Sequence, residues 1–122
     1  MPDVKKITFI VTHSDDDPEL ATIPFMLATG SMAMGIQPVV MLQSKGVMIA
    51  LRGFASHIHF EKANPLKDLV DVYIEAGFKL LVCSPCMEKR KMKQDDLIDG
   101  ALVVGAARMI EEISGSDQVL RY

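Results

Sequence analysis

The residues with the clearest chemical potential are two cysteines, Cys83 and Cys86, in the run Cys-Ser-Pro-Cys, which is followed by a series of cations. Ser84 can cap a short helix and the proline after it can occupy the first turn, which would place Cys83 at a helix N-terminus. The positive end of a helix and nearby cations, here Lys89 and Arg90, lower the pKa of a thiol. We therefore predict that Cys83 is an exposed nucleophile of lowered pKa.

Three other interpretations of the cysteines stay open. Both could be small core residues, because free cysteine is among the most buried residue types. The CxxC spacing also occurs in thioredoxin-type oxidoreductases, although this chain has no proline after Pro85 and no tryptophan. A zinc site would need His57 and His59, which alternate along one segment, as its nitrogen ligands. The proline and cations beside the motif favour a reactive thiol over these alternatives.

A second group of polar residues begins at His13, directly after the first apolar run. His13 is a candidate proton donor or thiolate partner for Cys83, or a loop histidine packed over a helix cap. The acidic triplet that follows, residues 15–17, would repel a flavin or nucleotide phosphate at this loop. No G-x-G-x-x-G or Walker-type sequence occurs in the chain. We therefore predict that the protein has no bound cofactor and no metal.

The composition describes one globular domain, residues 1–122. A chain of 122 residues lies within the size range of single domains, and 49% hydrophobic residues supply enough material for a core. The net charge of -3 disfavours nucleic acid and anionic lipid as partners. No apolar run approaches the roughly 18 residues of a membrane helix, so we expect neither a signal peptide nor a membrane anchor. Two thiols without a disulfide scaffold indicate a cytoplasmic protein.

These residues must be positioned by a small set of short, continuously apolar segments, which predict strands covered on both faces by helices. The predicted strands are residues 7–12, 39–43, 79–83, 102–105 and 118–122. The predicted helices are residues 18–35, 47–53, 65–76 and 106–113, and residues 54–64 are expected to be irregular. The alternation predicts an α/β fold, a flavodoxin-like, doubly wound, five-stranded parallel sheet with strand order 2-1-3-4-5. In that order His13 and Cys83 meet at the switch point of the sheet.

Local signals set the helix boundaries. Asp17 before Pro18 is a predicted N-cap with proline at the first helical position, and Gly35 is the predicted end of that helix. Asn64 is expected to cap the next long helix in the same way. Pro24 should kink or break the first helix near its second turn. Almost no side of that helix is polar, so we expect it to be buried all round or to face another subunit.

One combination of features extends along the whole chain. Its parts are the acidic loop ending in Asp17-Pro18, the stop at Gly35, the Gly46-Val47 step, and Cys83 eight positions before Lys91. This combination resembles the DsrE/DsrF-like family, which includes the TusD and YchN type proteins. In that family the strand before the thiol loop ends in the sulfur-accepting cysteine, which corresponds to Cys83. Arg90 matches the first residue of the Arg-Gly pair usual in the family, and Lys91 replaces the glycine.

The resemblance implies an intracellular sulfur carrier, a sulfurtransferase-type protein that accepts a persulfide on Cys83 and passes it to the next protein of a relay. Cys86 corresponds to a second thiol that some members carry, and it would resolve the persulfide as a disulfide. The implied partners are sulfur donor and acceptor proteins and further copies of the chain, in a trimer or hexamer. Two hypotheses compete: a non-catalytic subunit of an assembly that uses the methionine-rich first helix, and a CxxC thiol-disulfide redox protein.

Overall fold

A parallel five-stranded sheet organises the protein. The computed structural model describes residues 4–122. Its strands are β1 (Lys6–Val11), β2 (Gln37–Leu42), β3 (Leu80–Cys83), β4 (Ala101–Val104) and β5 (Gln118–Arg121). Its α-helices are α1 (Pro18–Ala33), α2 (Leu66–Glu75), α3 (Ser84–Lys89) and α4 (Ala106–Ser114). Shorter 3-10 helices occupy Ser44–Ala50, Ala55–His57 and Gln94–Asp96. The predicted strands are confirmed to within two residues, whereas the helix predicted at 47–53 is the 3-10 helix Ser44–Ala50.

The helices cover both faces of the sheet, which confirms the α/β class predicted. Thr8 and Phe9 follow each other in β1, so their side chains point to opposite faces. Phe9 lines a groove with residues of α1. Thr8 is hydrogen-bonded to Ser116, just after α4, with 2.5 Å between the two hydroxyl oxygens. The helices α1 and α4 therefore lie on opposite sides of β1.

The strands are ordered β4-β3-β2-β1-β5, and the predicted order 2-1-3-4-5 is wrong. Strands β1 to β4 lie next to one another in chain order. The connection through α4 then leads back to the other side of β1, where β5 pairs with it. The direction of winding therefore changes between β1 and β5, where the backbone N–H of Thr12 donates to the Tyr122 carbonyl at 2.7 Å. Cys83 ends β3, two strands from β1, so it lies at the carboxyl edge of the sheet but away from the switch point.

The ends of the long helices follow local chemistry only in part. The N-cap at Asp17 is confirmed, because its carboxylate accepts the N–H of Leu20 at 3.1 Å. The predicted cap at Asn64 is wrong: α2 is preceded by Pro65 as N-cap, with no side-chain hydrogen bond there. The helix α1 continues through Pro24 without a break. A proline removes a single backbone donor, and the buried face of α1 holds the turns on either side.

A buried carboxylate ties α4 to the sheet. Glu112 is almost completely buried, and its Oε2 lies 2.6 Å from the Lys6 Nζ of β1. Its Oε1 lies 3.0 Å from Arg108 Nη2 and 3.6 Å from Lys79 Nζ. Burial alone would raise the pKa of Glu112, but the hydrogen bonds from Lys6 and Arg108 hold it below its usual 4.5. The charged form of Glu112 therefore stabilises the fold.

Within the described residues, no helix is long and apolar enough to cross a bilayer.

Candidate functional site

The cysteine pair lies where β3 meets α3. Cys83 is the last residue of β3 and the N-cap of α3, and Cys86 is in the first turns of that helix. Both thiols are free. Ser84 was predicted to be the cap, but it is already the first helical residue, and the N-cap residue Cys83 makes no side-chain capping hydrogen bond. The turn into α3 brings the two side chains together, so each cysteine is a neighbour of the other.

Cys83 is buried, with 5% of its surface exposed, which contradicts the prediction of an exposed nucleophile. Burial, followed by the interaction with the Cys86 side chain, raises the pKa of the Cys83 thiol from 9.0 to about 11. The backbone N–H of Cys86 and the charge of Arg90 oppose these effects without overcoming them. The predicted low pKa is therefore wrong, because the loss of hydration outweighs one nearby cation. The helix α3 has six residues, too few to add a large dipole.

The cations after the motif have separate positions. Arg90 is half-buried, and its Nη1 donates to the backbone carbonyl of Cys86 at 3.1 Å, which places the guanidinium beside the pair. Lys89 is exposed in the last turn of α3. Lys91 has a φ of 57°, the left-handed conformation for which glycine is the usual residue. A turn for which the resemblance implies glycine is thus made here with a lysine in a strained conformation.

A residue that the sequence analysis did not identify completes the site. The backbone N–H of Ser44 donates to Cys86 Sγ at 3.2 Å. Ser44 is exposed, begins the 3-10 helix after β2, and has a φ of 52°. The sequence contains one signal of this loop, Gly46 in the Gly46-Val47 step. A side chain at Gly46 would overlap the backbone carbonyl of Val11, so only glycine lets the loop lie against the end of β1.

His13 lies on the same edge of the sheet but has a different partner from the one predicted. Its Nδ1 is 2.8 Å from the carboxylate of Asp16, whose Oδ2 is also 3.9 Å from Lys45 Nζ. Burial would raise the pKa of Asp16, but hydrogen bonds from the Ser14 backbone and from His13 lower it. In the described part of the chain, His13 forms its hydrogen bond with Asp16 and not with a cysteine.

The other two histidines lie apart from the thiols. His57 and His59 are exposed, and His59 Nδ1 is 3.3 Å from the carbonyl oxygen of Ala63. Among residues 4–122, no three His, Cys, Asp or Glu side chains are grouped so that they could hold a metal ion. The zinc interpretation, which needed all four ligands in one place, therefore has no support from this arrangement.

Several curated relatives from methanogenic archaea match the sequence. The uncharacterized protein MJ0989 of Methanocaldococcus jannaschii is 30% identical over 117 residues, which cover 96% of this chain and 99% of that protein. The uncharacterized protein MK0008 of Methanopyrus kandleri is 23% identical over 116 residues, 95% of this chain and 93% of that protein. MJ0760 of M. jannaschii is 26% identical over 111 residues, 91% of this chain, but the chain spans only 40% of MJ0760.

Two solved structures share the fold. YchN from E. coli superimposes with a TM-score of 0.76 at 16% sequence identity, covering 97% of this chain and 99% of that one. MTH1491 from Methanobacterium thermoautotrophicum, a protein of unknown function, superimposes with a TM-score of 0.74 at 20% identity, covering 98% and 100%. A profile of the DsrE/DsrF-like family matches residues 5–122. Because this match includes every element of the fold, the chain belongs to the DsrE/DsrF-like family.

Proposed function

We propose that the chain is an intracellular sulfur carrier of the sulfurtransferase type, which accepts a persulfide at its cysteine pair and passes the sulfur to an acceptor protein. The observation that carries this proposal is the pair itself: two free thiols side by side at the carboxyl edge of the sheet, with Arg90 beside them. Family membership supports a role in sulfur relay. We place the protein in the cytoplasm, where reducing conditions keep both thiols free.

The chemistry requires only thiolates and persulfides. A thiolate of the pair attacks the terminal sulfur of a donor persulfide, R–S–SH, so that one S–S bond forms while the donor's S–S bond breaks and R–S⁻ leaves. An acceptor thiolate then removes the same sulfur by the same reaction. Neither transfer needs an oxidant or a reductant. Sulfur donor and acceptor proteins are therefore the partners that this function needs.

A mass measurement tests the proposal, because the chain has only two cysteines. Wild-type protein is incubated with glutathione persulfide, and its intact mass is determined without reductant. We expect a gain of one sulfur atom that is absent from the double variant Cys83→Ser/Cys86→Ser. A wild type that neither gains sulfur nor releases sulfide would reject the carrier and favour the non-catalytic subunit. A loss of two hydrogens with neither sulfur gain nor sulfide release would favour the thiol-disulfide redox protein instead.

An apolar face beside α1 favours assembly with further copies of the chain. The number of copies, three or six, is what the family resemblance implies. Met34 is 65% exposed and Met26 is 50% exposed on α1, and Leu27 and Leu120 add to the same groove, which encloses about 290 Å³. Apolar surface of this kind is stabilised when a partner removes it from water. We expect Met34→Lys to lower the sedimentation coefficient. The control Val72→Lys changes an exposed apolar residue of α2 outside the groove and should leave it unchanged. A monomeric wild type would contradict this proposal.

A further inference from the structure

The two sulfurs of the pair differ in access to other proteins. Cys83 is closed off as the last residue of a fully buried strand, whereas Cys86 is half-buried on α3. Exposed residues surround Cys86: Pro85 in the same turn, and Ser44 and Lys45 in the adjoining loop. A persulfide held on a donor protein can react only with a sulfur that it can reach directly. An exposed side chain permits this contact and a buried one does not. Access therefore favours Cys86.

Each sulfur has a backbone N–H donor: the Cys86 N–H donates to Cys83, and the Ser44 N–H donates to Cys86. The Ser44 N–H donates to Cys86 Sγ at 3.2 Å, and Ser44 has a φ of 52°, in the left-handed region that L-residues rarely adopt. Strained backbone of this kind persists where the surrounding structure imposes it, and it is frequent at functional sites. Gly46 lets this loop lie against the end of β1, because a side chain there would overlap the Val11 carbonyl. An N–H donor at a sulfur stabilises negative charge on that sulfur.

We propose that Cys86, and not Cys83, is the sulfur-accepting nucleophile, that the Ser44 backbone N–H stabilises its anionic form, and that Cys83 is the resolving thiol. This inference rests on the proposed function as a sulfur carrier and assigns the roles within it. It reverses the assignment implied by the family pattern, in which the cysteine at the strand end accepts the sulfur.

The steps balance as follows. The Cys86 thiolate attacks the terminal sulfur of R–S–SH, which forms Cys86–S–SH and releases R–S⁻. If no acceptor thiolate arrives, the Cys83 sulfur attacks Cys86 Sγ and its proton leaves with the terminal sulfur as hydrogen sulfide. In that second step the terminal sulfur is reduced by two electrons, the two cysteines are oxidised to a disulfide, and a dithiol reductant must restore them. Because burial raises the pKa of Cys83, we expect transfer to an available acceptor to be faster than release.

Single variants loaded with glutathione persulfide at neutral pH separate the two roles. Cys83→Ser should gain one sulfur as fast as the wild type and keep it, with no sulfide released. Cys86→Ser should load at least roughly tenfold more slowly, since its remaining thiol is buried. If Cys86→Ser loads as fast as Cys83→Ser, or faster, the assignment is overturned while the carrier function stands. If the wild type neither gains sulfur nor releases sulfide, the carrier function fails first.

The role of the Ser44 amide has its own test in the Cys83→Ser protein, where Cys86 is the single thiol. The Ser44 amide resonance in ¹H–¹⁵N spectra should shift on ionisation of Cys86 and again on persulfide loading. Adding Ser44→Gly keeps the N–H and suits a φ of 52°, so loading should stay within about twofold. Ser44→Pro removes the donor, and we expect roughly tenfold slower loading. If the Ser44 amide resonance shifts neither on ionisation nor on persulfide loading of Cys86, the Ser44 N–H does not stabilise the Cys86 anion. This outcome is informative whether or not Ser44→Pro folds.

Discussion

Because Cys83 is buried, we predict that its thiol is alkylated unusually slowly. Raising the pKa from 9.0 to about 11 lowers the thiolate fraction at neutral pH by a factor of about 100. The more basic thiolate is also the stronger nucleophile, and a Brønsted coefficient of about 0.4–0.5 restores a factor of about 10. Cys83 should therefore react with iodoacetamide about tenfold more slowly in the folded protein than in the chain unfolded in urea, before any steric protection by its neighbours.

The assay is a short iodoacetamide pulse at a series of pH values, followed by digestion and fragment-ion quantification of Cys83 apart from Cys86. In the folded protein, the rate at Cys83 should continue to rise beyond pH 9, whereas in the unfolded chain it should level off near the ordinary pKa of 9.0. A folded-state plateau below pH 9 would refute the argument that burial outweighs the charge of Arg90. The raised pKa also means that the folded state holds this proton more tightly. Its contribution to stability is complete below pH 9 and is lost as the pH rises through about 11.

Three further predictions concern stability, measured as the free energy of unfolding in urea. Lys91→Gly should raise it by about 1 kcal/mol by relieving a φ of 57°, and a decrease would contradict the strain. Gly46→Ala should lower the free energy of unfolding by more than about 2 kcal/mol through overlap with the backbone of β1. The control Gly30→Ala, which meets open space in α1, should raise it by about 0.5–1 kcal/mol. Equal effects would refute the close approach of Gly46 to β1. Glu112→Gln should lower it by about 2 kcal/mol at pH 7 through loss of charged hydrogen bonds. Because the folded-state pKa of Glu112 lies below 4.5, its contribution is present above that pH and disappears as the pH falls further, so an unchanged difference in strong acid would refute it.

The secondary structure was predictable because it is encoded locally. Strands buried on both faces must be apolar throughout, and the five such segments stand out between polar turns. Asp17 caps α1 as expected, since an N-cap needs only the residues of one turn. The break considered at Pro24 and the cap predicted at Asn64 are absent from the structure for the opposite reason. In both places packing against the rest of the fold decided where the helix begins or continues.

The candidate site was predictable only as a location. The sequence placed Cys83 and Cys86 at the carboxyl end of a strand, and there they lie. It also suggested Arg90 as a neighbouring cation, which the contact with the Cys86 carbonyl supports. The exposure of each sulfur was not predictable, because it depends on the elements packed above them. Ser44 is 42 positions from Cys86 in the chain and contributes a backbone group, which leaves no signature in its residue type.

The sequence by itself determined the α/β class, the limits of the strands and the presence of a thiol pair at a strand end, because each depends on residues close together along the chain. The tertiary structure alone decided the strand order, since parallel pairing joins segments that any apolar sequence could provide. It also decided that Cys86 is more exposed to solvent than Cys83. The pKa of Cys83 follows from removal of water by distant elements, and that loss of hydration is larger than the local effects of a helix end and one cation.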